Sequence, residues 1–273
     1  MKNYLIEKEE ILGFFLKEKE KNWKNLLKYG KVKVNHKIIT DYHHKLKEND
    51  FVEIDHITKE IPKDLNLIYE DKEFIVVNKL PGLLTVSTEK EREKTLYHQV
   101  REYANKKHEK IFILHRLDKD TSGIVLFVKS EKLKEKMQNE WNQLVKTRKY
   151  VALIFGSLEK KKGILKNYLK EEKSFVKITN VKDGKLAETH YSVIKEKNGY
   201  SFIDIDLKTG RKNQIRVQFS YINHPLLGDE KYGKGKDQRL YLHAYEFSFM
   251  HPVTKKIYTF KVDIPKSFEE RMK

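Results

Sequence analysis

From Leu67 onward the chain is a succession of strand-length apolar runs separated by turns. NLIYED, EFIVVNK, GIVLFVKS and KYVALIFG follow one another. SFIDIDL then alternates over Ile203, Ile205 and Leu207, and RLYLHAYEFSF over Tyr241, His243, Tyr245, Phe247 and Phe249. Such alternation puts every second side chain on one face of a sheet. Two helical stretches interrupt the strands, near Thr95–Asn105 and near Glu131–Leu144. Many strands with few crossover helices predict an α+β body: a mixed, mostly antiparallel sheet with flanking helices.

The residues before Leu67 read differently, and 273 residues allow roughly two domains. Residues 10–30 have helical spacing, with Ile11, Phe14 and Phe15 repeated by Trp23, Leu26 and Leu27, and Gly30 as a stop. KVKVNHKII then signals a hairpin turning at Asn35-His36, and a polar KEND precedes an apolar FVEI. DHITKEIPKDLN, polar and carrying Pro62, reads as a connection. The expected division is a small module over 1–57, a linker over 58–66 and a body over 67–273.

Composition narrows the function. Lys and Arg number 57 against 40 Asp and Glu, a net charge of +17. That excess calls for a polyanionic partner, either nucleic acid or an anionic membrane surface. The excess is mostly lysine and is spread out; Lys17–Lys37 and Leu158–Lys173 are richest, and each reads equally well as a solvated face. With no cysteine, disulfides, thiolate zinc sites and a cysteine nucleophile are excluded. Mean hydropathy is -0.73. No apolar run approaches the ~20 residues of a spanning helix, and the start lacks a secretory leader. A cytoplasmic protein without membrane attachment is expected.

LHRLDKDTSGIVLFVK, residues 114–129, concentrates reactive side chains in a short loop between two apolar runs. Three readings fit. Asp120, Thr121, Ser122 and Gly123 make good turn residues. His115, Asp118 and Asp120 offer metal-ligating atoms, although no other cluster completes the set. An Asp flanked by a basic residue makes a nucleophile or an acid–base group, and a nearby Arg keeps a buried Asp ionised.

HRLDKDTSG followed by an apolar strand resembles the central motif of the RluA family of RNA pseudouridine synthases. Further stretches resemble that family in order: NLIYEDKEFIVVNKLPGLLTV, RKYVALIFG, LAETHYSV, LKTGRKNQIRVQFSYINHPLLGDEKYG and LYLHAYEFSFMHPVTKKIYTFKVDIP. The likeness covers about residues 65–265. The front module, with Gly30, Val32, Val34 and Asn35, resembles the alpha-L RNA-binding domain over about residues 10–55. His36 and Asn49 stand there where glycine is usual, but Asn and His tolerate positive φ better than most residues.

The resemblance implies the pseudouridine synthase fold, preceded by a helix-helix-hairpin domain, and isomerisation of uridine to pseudouridine in structured RNA. It places the catalytic aspartate at Asp118. It gives Arg116 the space left by the departing base, Tyr150 the stacking surface for the uracil, and Arg216 the pairing with the catalytic carboxylate. Lys24, Lys28, Lys31, Lys33 and Lys37 would contact phosphates. No cofactor and no metal are implied, and a monomer is expected. The partner is RNA, ribosomal RNA foremost and transfer RNA as the alternative. A non-catalytic RNA-binding or ribosome-assembly protein on the same fold is the competing function.

Two departures stand out. Asn213 replaces the family's histidine, and an amide cannot titrate near neutrality. Pro81 comes one place late, in NKLPG. Ile215, Phe219 and Ile222 fit a helix ending before Pro225, whereas Ile215, Val217 and Phe219 alone also fit a strand; the resemblance favours the helix. His43-His44 read as loop, His224 and His251 as turn residues before proline, and His243 as a satisfied core residue.

Overall fold

The computed structural model describes residues 2–273 apart from 22, 29, 55–64, 89, 90, 92, 174, 180–182 and 236. The chain divides into two compact units, Met1–Glu60 and Ile61–Lys273. Residues 58–64 of the expected linker lie outside the described residues. Leu65 is buried in the core of the second unit.

The first unit runs β1 (Lys2–Leu5), β2 (Glu10–Ile11), α1 (Leu12–Lys19), α2 (Trp23–Lys28), β3 (Val32–Val34), β4 (Lys37–Ile38), β5 (Lys45–Leu46) and β6 (Phe51–Ile54). Its sheet has the order β1-β6-β3-β4, and β2 pairs with β5. Leu12, Leu16, Leu27, Val32, Val52 and Ile54 fill its core. The helical span expected over 10–30 is two helices. No apolar side chain falls between Leu16 and Trp23, so that charged stretch has nothing to bury, and Glu20 is extended. After α2 the chain closes with Gly30 N–H on the Leu27 carbonyl (3.1 Å) and Lys31 N–H on the Leu26 carbonyl (2.8 Å), a Schellman ending. Asn35 and His36 turn the β3–β4 hairpin with φ of 47° and 65°, as a two-residue turn between twisted strands requires. Lys24, Lys28 and Lys37 are exposed, while Lys31 and Lys33 are half-buried.

The second unit runs β7 (Leu67–Glu70), β8 (Phe74–Lys79), α3 (Leu96–Asn105), β9 (Phe112–Ile113), β10 (Ser122–Val128), α4 (Glu131–Asn139), α5 (Trp141–Leu144), β11 (Val145–Phe155), β12 (Lys162–Glu172), β13 (Phe175–Thr179), β14 (Lys185–Lys197), β15 (Tyr200–Leu207), α6 (Gln214–Tyr221), β16 (Leu242–Met250), β17 (Ile257–Lys261) and α7 (Lys266–Arg271). The sheet order is β13-β12-β14-β15-β11-β16-β10-β8-β7, with β17 on β16 and β9 on β10. Neighbours are antiparallel except β10 and β16, which pair in parallel at Ser122↔His243 and Gly123↔Ala244. The mixed, mostly antiparallel α+β fold is the one the strand pattern predicts.

The middle strands are apolar on both faces because both are covered. Val77, Val125 and Phe127 pack against Leu96, Val100 and Tyr103 of α3. The alternate residues Val76, Ile124 and Leu126 pack against Leu133, Met137 and Leu144 of α4 and α5. Thr95 caps α3, its hydroxyl accepting from His98 N–H at 3.1 Å. The residues 214–221 are helical, and Ile215 and Phe219 of α6 pack on Ala152, Ile154, Ile203 and Ile205.

Candidate active site

Asp118 lies in the loop that joins β9 to β10, and the sheet fixes that loop at several points. Lys79, buried at the end of β8, donates to the Lys119 carbonyl (2.7 Å) and to those of Leu83 (2.7 Å) and Leu80 (3.0 Å). Thr85 donates its hydroxyl to the Leu117 carbonyl (2.6 Å) and accepts from Leu117 N–H (3.2 Å). Gly123 leaves the loop with φ of 120°, and a Cβ there would meet the Ala244 carbonyl oxygen at 2.2 Å. Only glycine lets β10 approach β16 that closely.

A cavity of about 470 Å³ opens over this loop. Arg116, Asp118, Tyr150 and Arg216 all line it, so the fold gathers four positions that span a hundred residues of sequence. Arg148, Arg211 and Trp141 line it too. Arg116 is exposed, Asp118 and Tyr150 are half-buried, and Arg216 is buried on α6. Lys24, Lys28, Lys31, Lys33 and Lys37 belong to the first unit.

Electrostatics sort the groups. Burial raises the Asp118 pKa above the ordinary carboxylate range, against the opposing pull of Arg216, Arg116, Lys79 and Lys231. Desolvation pushes the Tyr150 phenol up to about 12, so it stays protonated. His115 is pushed down to about 3 by burial; its ring stacks on Phe247 (4.9 Å, 15°), and Nε2 accepts from Leu126 N–H at 3.2 Å. That nitrogen is therefore occupied, which argues against His115 as a metal ligand. No group of three or more His, Asp or Glu side chains that could hold a metal occurs among the described residues.

The expected pairing of Arg216 with the catalytic carboxylate is not made directly. Its Nε and Nη2 donate instead to Asp229, at 2.8 and 2.7 Å, and Nη1 donates to Asn213 Oδ1 at 3.2 Å. The guanidinium acts on Asp118 through its charge, and Asp229 holds it in place. Asn213 explains its own departure from the family pattern. It sits at the start of α6 with φ of 52°, which asparagine tolerates, and Nδ2 donates to the Tyr232 hydroxyl at 3.2 Å. The position bridges Arg216 and Tyr232, and an amide can do that without titrating.

Asp229, Lys79 and Arg148 were not singled out from the sequence. Each lies inside a quoted motif (GDEKYG, VVNKLPG and RKYVALIFG), but only the fold turns Lys79 onto the loop, Arg148 into the cavity and Asp229 onto Arg216. Of the histidines, His251 Nδ1 accepts from Thr254 N–H (3.0 Å) in a turn, and His224 Nδ1 faces the Phe155 carbonyl (2.8 Å). His243 is buried with Nδ1 on the Ser122 hydroxyl at 2.7 Å.

Four guanidinium groups around one lining carboxylate make a cavity for a polyanionic substrate. Known proteins give that class a name. The family model described as RNA pseudouridylate synthase matches residues 73–221. The RNA pseudouridine synthase YlyB of Bacillus subtilis is 30% identical, over 97% of this chain and 93% of its own. Ribosomal large subunit pseudouridine synthase C of Buchnera aphidicola is 33% identical, over 89% of this chain and 86% of its own. A human structure, RNA pseudouridylate synthase domain containing 1, shares the fold with a TM-score of 0.61 at 20% identity, over 74% of this chain and 84% of that one. The chain belongs to the RNA pseudouridylate synthase family and is an RNA pseudouridine synthase.

Proposed function

We propose that this enzyme isomerises uridine in structured large-subunit ribosomal RNA, with transfer RNA as the alternative substrate, and that Asp118 performs the chemistry. The observation that carries the reading is the cavity itself, where Asp118 is the one lining carboxylate among the described residues and Arg116, Tyr150 and Arg216 share its space. The bond from ribose C1′ to N1 must break, the base must turn, and C5 must join C1′ as its proton leaves. A carboxylate assists by attacking the sugar or the base, or by stabilising charge while the glycosidic bond breaks. A paired uridine is unreachable, so it must first be flipped out. Tyr150 then offers the flipped ring a flat surface, and Arg116, exposed at the rim, takes the vacated space. The isomerisation is redox-neutral and transfers no external group, so the reading includes no cofactor.

Relatives named as ribosomal large subunit pseudouridine synthases support the ribosomal substrate. The first unit acts as an alpha-L type RNA-binding domain through Lys24, Lys28, Lys31, Lys33 and Lys37; its two helices and Asn35-His36 hairpin support that role. The enzyme works as a monomer in the cytoplasm. The test uses ribosomal and transfer RNA labelled with tritium at uridine C5, from cells lacking the gene. Wild-type protein should release label from the ribosomal RNA, and Asp118→Asn should bind that RNA and release none. Release by Asp118→Asn would remove Asp118 from the chemistry, and release from transfer RNA alone would replace the substrate. Mapping pseudouridines with and without the gene then locates the site.

A further inference from the structure

Of the two guanidinium groups lining the cavity that are withdrawn from solvent, Arg148 and Arg216, Arg148 has the less to do for the fold. Arg216 is committed to Asp229, and Arg211 Nε donates to the Leu186 carbonyl at 2.9 Å. Arg148 makes a single hydrogen bond, from Nη2 to the Lys208 carbonyl at 2.6 Å, and joins no ion pair among the described residues. The carboxylate whose charge reaches it, Asp206, is itself paired with Lys208 at 2.6 Å. Yet Arg148 is held in place. Its guanidinium lies 5.9 Å from the centre of the Trp141 ring, and its Nη1 fills the space where a Cβ on Gly210 would stand, 2.7 Å away. Gly210 has no positive φ to require glycine, so the close approach of Arg148 is what the position accommodates. A half-buried cation with no ion-pair partner among the described residues, fixed over a ring at the edge of a cavity, is a group prepared for an incoming anion.

Its place on β11 says which anion. Arg148 and Tyr150 are two residues apart and line the same cavity, so their attachment points are ~7 Å apart on one face of the strand. That spacing is comparable with the reach from a nucleobase to a phosphate of its own backbone. We infer that Arg148, aimed by Trp141 and the Thr209–Gly210 turn, binds a backbone phosphate of the RNA strand carrying the target uridine while Tyr150 holds the base. The inference rests on the cavity being the reaction centre. It assigns Arg148 to substrate positioning, a task separate from those of Arg116 and Arg216.

The test measures tritium release from C5-labelled ribosomal RNA over a series of KCl concentrations. Arg148→Ala should lower kcat/KM by about tenfold to a hundredfold at low salt, mainly through KM, as loss of a charge-assisted hydrogen bond does. The decline of log kcat/KM with log salt should become shallower by roughly the 0.7 that one single-strand phosphate contact contributes. Arg148→Lys should restore the salt slope, since it keeps the charge, without restoring the full rate. A wild-type kcat/KM for Arg148→Ala, or a reduced one with an unchanged salt slope, would overturn the assignment. An Asp118→Asn protein with wild-type activity would remove the cavity as reaction centre, and the Arg148 assignment with it.

Discussion

Arg216 grips Asp229 through two parallel hydrogen bonds, at 2.8 and 2.7 Å, and both side chains are withdrawn from solvent. Asp229 also accepts the N–H groups of Lys231 and Tyr232, at 2.9 Å each, so the turn after α6 is built around this carboxylate. Its pKa is lowered because Arg216 and those donors together outweigh burial. Removing one partner of such a buried pair leaves an uncompensated charge, at a cost of about 3–5 kcal/mol. Asp229→Ala should therefore lower the unfolding free energy obtained from urea titration by about 3–5 kcal/mol. A group with a depressed folded-state pKa contributes stability above its unfolded value and loses it as pH falls through the folded value. The gap between wild type and Asp229→Ala should accordingly close only at pH below the ordinary carboxylate value of 3.8.

The Asp118 loop predicts the opposite sign. Burial raises the Asp118 pKa, so the folded protein holds a proton that the unfolded chain releases. Its stabilising share is present below the unfolded value and is lost as pH rises through the folded value. Asp118→Asn should melt at a higher temperature than wild type near neutral pH, and the advantage should vanish in acid. The same variant should lose on the order of 10³-fold or more in isomerisation rate. A melting temperature at or below that of wild type at pH 7 would show that the site places no strain on this carboxylate.

The sheet was legible because period-two alternation is a local signal, and strands such as β15 (Tyr200–Leu207) carry it plainly. The positions of Asp118, Tyr150 and Arg216 were legible through motifs spread along the chain, and the cavity brings them together. The partner of Arg216 was not. Asp229 stands thirteen residues away along the chain, and nothing local distinguishes a guanidinium aimed at one carboxylate from one aimed at another. Lys79 was hidden for a related reason. A lysine closing an apolar strand reads as the point where the chain meets water, and its burial depends on Lys119, forty residues on.

That buried lysine has a pH signature. Desolvation brings the Lys79 ammonium down from 10.5 to about 7. Between those values the unfolded chain binds more protons than the folded one, so the contribution of Lys79 to stability grows as pH rises. The urea midpoint of wild type should gain on that of Lys79→Met from pH 7 to pH 10.5. Lys79→Met also frees the Lys119, Leu83 and Leu80 carbonyls and releases the Asp118 loop. A displacement of about 1 Å at a reacting group can cost on the order of 10²-fold in rate, so kcat should fall toward that limit while KM changes little.

Tyr150 separates stacking from acid–base chemistry. Its phenol is pushed up to about 12, above any working pH, and the ring rather than the hydroxyl is what the base would meet. Tyr150→Phe keeps the ring and should retain kcat and KM within a few-fold, with an unchanged pH profile. Tyr150→Ala loses a stacking contact worth about 1–3 kcal/mol, so kcat/KM should fall by roughly tenfold to a hundredfold. A Tyr150→Phe protein as inactive as Tyr150→Ala would move the essential function to the hydroxyl and end the stacking assignment.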